Sequence, residues 1–219
     1  MAEKKETRNI RTERAGTVAK WLKVLFVLNM LGVLAGILKQ DQLAEAAMPL
    51  YWVGVALNLV YTVGDIIVLL KLSPESGDYR RAAVCSVVST VCSVVLMVLM
   101  AAFYLMPQSM SSALALVNIV LGLAVMIVPF MAAYYEIKGH AWILQGLDDR
   151  LAQNWRTVWR LTVATMIVLV SAMLLAALAP WLGLVVMLAL MVGITALGIW
   201  RLVCLYRTEQ AVKRLAAQG

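Results

Sequence analysis

An α-helix needs about 20 predominantly apolar residues to cross the hydrocarbon core of a bilayer, and six stretches of this chain meet that condition. They are 21–38, 49–70, 82–106, 112–135, 158–179 and 181–205. The last two are separated only by Pro180 and its neighbours. Together they are far too long for one span, and the sequence AlaProTrpLeuGly at 179–183 reads as a tight turn between two.

Composition rules out the alternative of a soluble globule. Of 219 residues, 63% are hydrophobic and 14% charged, and the mean hydropathy is +0.87. Globular domains are about half apolar and about one quarter charged. A chain this short cannot hide so much apolar surface inside itself, so its solvent is lipid. The expected fold is all-α: a polytopic bundle of six transmembrane helices. Residues 1–20 then form a basic N-terminal arm, 21–206 the bundle, and 207–219 a cytoplasmic tail that reads as a frayed helical extension of the sixth span.

The positions of Lys and Arg orient that bundle. Eighteen of the 19 lie on one side of the six-span arrangement, and only Lys39 lies on the other. Cytoplasmic loops collect Lys and Arg, which places both termini in the cytoplasm. Five or seven spans would scramble this partition. The same rule accounts for the formal charge of +7. A nucleic-acid surface would instead need a basic stripe interleaved with exposed aromatics, and none is present. Trp21, Tyr51, Trp52, Tyr104, Trp181, Trp200 and Tyr206 fall near expected helix ends, as an aromatic belt does. The outer loops, 39–48 and 107–111, are short. The charged start of the chain does not read as a signal peptide. Compact loops favour a prokaryotic plasma membrane.

One inner segment stands out. In 140–160, Leu144, Leu147, Leu151, Trp155 and Val158 recur at helical spacing, with charged residues on other faces. This predicts a short amphipathic helix at the inner membrane surface that continues into the fifth span. Leu147, Leu151 and Trp155 are its candidate docking face, and Asp148 and Asp149 are placed to cap it.

Ionisable groups inside spans are costly, so Asp65 marks a candidate site. It shares a helix face with Asn58 and Thr62, at spacings of seven and three. At the same depth, Lys23, Glu136, His140, Arg160 and Arg201 bring charge to the cytoplasmic rim from other spans. Such a cluster either fixes helix register through ion pairs and hydrogen bonds or lines an inner vestibule. The outer half of the bundle carries no ionisable residue, which argues against ion-coupled transport.

Cys85, Cys92 and Cys204 lie in or at the ends of apolar runs and give neither a disulfide framework nor a metal-ligand spacing. Ser86, Ser89, Thr90 and Ser93 beside them, the Gly32–Gly36 pair and the Ala189–Gly193 pair are small-residue faces for close helix approach. With one histidine and no nucleophile beside it in sequence, the chain offers no catalytic constellation, and no cofactor is implied. The expected function is that of an accessory, regulatory or assembly protein acting through helix packing and its cytoplasmic face. Its partners would be the lipid bilayer and a membrane protein or a second copy of itself. The alternative is a pore or transporter for a neutral or apolar solute.

Overall fold

The computed structural model describes residues 12–40, 47–105 and 112–218. Among them every regular element is helical: α1 (Thr12–Leu38), α2 (Met48–Leu72), α3 (Gly77–Leu105), α4 (Ser112–Leu144), α5 (Asp149–Leu178) and α6 (Pro180–Ala216). Five of these contain stretches long and apolar enough to cross a membrane: Glu13–Leu38, Met48–Leu72, Gly77–Ala102, Leu116–Leu144 and Trp181–Ala216. The C-terminal half of α5 is also apolar in sequence, from Leu161 onward. These lengths and compositions fit a multi-pass membrane protein.

The helices end close to where hydropathy ends them on the side away from the Lys and Arg, and overrun it on the basic side. α1 begins nine residues before the apolar run at 21, α4 continues to Leu144, α5 starts at Asp149, and α6 reaches Ala216. The basic arm is therefore helical from Thr12 onward, with Ala15, Val18 and Ala19 buried. The tail continues α6 as a helix to Ala216, as expected, but it is packed, not frayed: Thr208, Val212 and Leu215 are buried along it. The expected outer loops fall largely on 41–46 and 106–111, outside the described residues.

The segment 140–160 also differs from expectation. It is not one surface helix, because residues 140–144 are the last turn of α4 and 149–160 are the first turns of α5. Between them Gly146 adopts φ 75°, a left-handed conformation that costs a residue with a Cβ about 1–2 kcal/mol. Asp148 then starts α5 as its N-cap, its carboxylate accepting from the Leu151 N–H at 2.9 Å. Asp149 accepts from the Gly146 N–H at 3.0 Å, pinning the turn. The expected capping role is filled by Asp148, while Asp149 lies in the first turn and holds the preceding loop instead. At the other end of α5, Ala179 separates it from α6, whose first residue is Pro180. A proline there is pre-set for a helix and lacks only an N–H that would have had no partner.

The chain divides into two compact units, Met1–Met30 with His140–Gly219, and Leu31–Gly139. In the first, α5 and α6 pack along each other. Gly16 of α1 faces the Ala216 methyl of α6, to which a Cβ at Gly16 would come within 4.0 Å. In the second, α2 and α3 pack together. There Gly32 lies under the Tyr61 ring, and a Cβ on Gly54 would come within 2.8 Å of Leu38 Cβ. Gly32 thus serves the close approach expected of it, whereas Gly36 and Gly193 face open space.

Candidate functional site

Burial is concentrated on the basic ends of the helices. The largest fully buried side chains are Leu22 and Leu25 of α1, Val68, Leu69 and Leu72 of α2, and Tyr79 of α3. The others are His140, Ile143 and Leu144 of α4, Trp155 of α5, and Leu205 and Leu215 of α6. Toward the opposite ends, Met97, Ile119, Met126, Ile167, Met191 and Val192 are all exposed. Lipid tails are as apolar as Leu, so side chains facing them gain little by being covered. Apolar groups beyond the hydrocarbon face water and gain about 25 cal/mol per Å² when buried. An asymmetry of this kind fits a multi-pass membrane protein.

In the first unit the buried ends are organised around Trp155. Its indole N–H donates to Thr208 Oγ1 at 2.9 Å, and the Thr208 hydroxyl donates to the Cys204 carbonyl at 2.7 Å. His140 stacks on the same indole, with ring centroids 4.6 Å apart and planes inclined by 27°. Trp155, Thr208 and His140 are each fully buried. Three helices therefore meet on one aromatic ring, and its single polar atom is satisfied. Phe26 of α1 contacts Tyr206 of α6 at 5.9 Å between centroids.

In the second unit, α3 and α4 are tied by charge. Ser76 Oγ accepts from the Asp78 N–H at 3.3 Å at the start of α3. The Asp78 carboxylate, only 12% exposed, sits between Lys138 Nζ at 3.4 Å and the Arg81 guanidinium at 3.5 Å. Arg81 also lies 5.8 Å from the Tyr135 ring and Lys138 6.0 Å from the Tyr134 ring. Beside this lattice the Tyr79 ring fits against Gly139, where a Cβ would come within 2.9 Å of Tyr79 Cε1.

The residues singled out in sequence separate into distinct settings. Asn58, Thr62 and Asp65 are half-buried on α2, and the Thr62 hydroxyl donates to the Asn58 carbonyl at 2.8 Å. Asp65 and Arg201 are both engaged in interactions. Glu136 is buried on α4 at 6% exposure. Lys23 and Arg160 are exposed, and Arg201 is half-buried. His140 packs against Trp155 instead of presenting its ring to solvent. Of the docking face, Leu151 and Trp155 are buried and Leu147 is half-buried. That stripe is spent on the protein's own core.

Sequence reasoning did not reach Thr208, Tyr79 or the Asp78–Lys138 pair. A signal for the first was present: Leu205, Thr208, Val212 and Leu215 recur at spacings of three, four and three, a buried helix stripe. Among the described residues no group of His, Cys, Asp or Glu is placed to hold a metal ion. No family model matches this chain, and no curated protein or solved structure matches it either.

Proposed function

We propose that this is a six-span protein of a prokaryotic plasma membrane, with both termini in the cytoplasm, that serves as an accessory or assembly protein acting through its cytoplasmic helix ends. The observation that supports this reading is the asymmetry of burial. The ends rich in Lys and Arg are packed, capped and hydrogen-bonded like a water-soluble core, whereas the membrane-facing stretches carry exposed Val, Leu and Met. Rigid inner ends suit the presentation of a fixed surface, and open apolar and small-residue faces such as Ala189 and Gly193 suit helix packing with another membrane protein.

Affinity purification of the full chain from native membranes in mild detergent tests the reading. A stoichiometric membrane-protein partner, or a stable homo-oligomer weakened by Asp65→Asn or by Gly193→Leu, is expected. A monomer without a partner that moves neutral solutes when reconstituted in liposomes would overturn it in favour of a transport function.

A further inference from the structure

Within the first unit a groove of about 590 Å³ opens between the first turns of α5 and the last turns of α6. Arg150 and Asn154 line it from α5, and Arg207, Gln210 and Arg214 line it from α6. The three arginines line one concavity from two helices, and none of them forms an ion pair among the described residues.

The nearby carboxylates are occupied. Asp148, which also lines the groove, caps α5 through the Leu151 N–H. Asp149 holds the Gly146 N–H, and Glu209, buried at 7% exposure, accepts from Gln210 Nε2 at 3.0 Å. The Leu151 N–H at the helix end is thus already taken, and an anion in the groove would be held by side chains.

We infer that this groove binds a phosphate group, either a phosphodiester of an anionic lipid headgroup or the phosphate of a soluble ligand. Planar guanidiniums make paired hydrogen bonds to phosphate oxygens, which a point-charge ammonium does not. Three arginines around one cavity supply the charge and side chains able to pair with phosphate oxygens, and Asn154 and Gln210 add neutral hydrogen-bonding groups. The depth suits either source. Arg207 follows the end of the apolar run at 205 by two residues, about 3 Å along the helix, and Arg214 lies about 10 Å further on. One end of the groove is then at headgroup level and the other reaches the cytoplasm. This inference goes beyond the assembly reading and needs no protein partner, so each can fail without the other.

The test uses the purified full chain in uncharged detergent, titrated with dioctanoyl phosphatidylglycerol in one arm and sodium pyrophosphate in the other. Chloride matches ionic strength, and binding is read from the melting midpoint and the intrinsic tryptophan signal. Saturable binding in either arm is expected, and the arm that saturates at lower concentration identifies the source. The variant R150Q/R207Q/R214Q should bind at least tenfold more weakly, whereas K39Q/K71Q/R80Q, which removes the same charge from exposed positions outside the groove, should stay within about twofold. Should the triple variant misfold, R214Q alone and the triple lysine variant, which retains the charge, are each expected to weaken binding severalfold. Equal loss in the groove and control variants, or no saturable binding in either arm, would overturn the inference.

Discussion

The indole N–H of Trp155 reaches the hydroxyl of Thr208, 53 residues further along the chain, across 2.9 Å. It joins the first turns of α5 to the end of α6 in the unit that also holds the arginine-lined groove. Because both residues are fully buried, breaking this bond leaves a polar group with no water to replace its partner.

Trp155→Phe is therefore expected to cost about 2–3 kcal/mol, since it removes the N–H and one ring of a buried side chain while Thr208 still donates to the Cys204 carbonyl. Thr208→Val strands the indole N–H and should cost about 1–3 kcal/mol, and Trp155→Ala about 3–5 kcal/mol through the cavity it leaves. The pair of mild substitutions together should cost less than their sum. Unfolding equilibria in detergent micelles would measure these differences, and strict additivity would show that the two groups do not interact.

At the start of α5, Asp148→Ala removes the cap on the Leu151 N–H and should destabilise the protein by about 1 kcal/mol, whereas Asp148→Ser retains an acceptor and most of the stability. Amide hydrogen exchange at the first turn of α5 should rise in the alanine variant and remain slow in the serine variant. Unchanged exchange in the alanine variant would mean that the turn is held by packing alone.

In the second unit the contact of Gly139 with Tyr79 leaves no room for a methyl group. Gly139→Ala should cost about 1–3 kcal/mol by overpacking. Gly122→Ala, where a Cβ meets open space, should be neutral or stabilising by up to about 1 kcal/mol. In a Tyr79→Leu background the penalty of Gly139→Ala should shrink. A melting point equally lowered in both backgrounds would count against the contact.

Orientation can be read chemically. In a chain with Cys85, Cys92 and Cys204 replaced by alanine, Gln40→Cys should react with a membrane-impermeant maleimide added to intact cells. Gln218→Cys should react only after permeabilisation. The reverse pattern would invert the assignment of the basic ends to the cytoplasm.

Much of this architecture was legible from single residues. The apolar runs, Pro180 at the α5–α6 break, Asp148 at the cap of α5 and the Gly32 packing face each act through local chemistry. The docking face of Leu151 and Trp155 was legible as a helical stripe, but its destination was not. Periodicity shows that a face is apolar without showing whether lipid, a partner or the chain's own α6 covers it. The rim residues show the same limit, since nothing local distinguishes the exposed Lys23 and Arg160 from the buried Glu136 and His140.

The sequence by itself determined which segments are helical and which parts of them are apolar enough for lipid, because transfer from water depends on the residues of one segment alone. Only the tertiary structure decided that the basic ends extend past the apolar runs and pack. It alone brought Trp155 to Thr208 and His140, placed Asp78 between Lys138 and Arg81, and gathered three arginines around one groove. Those ends carry most of the Lys and Arg, groups that are costly to place in lipid. There burial and hydrogen bonding depend on which distant helix supplies the partner, and that is a property of the whole fold.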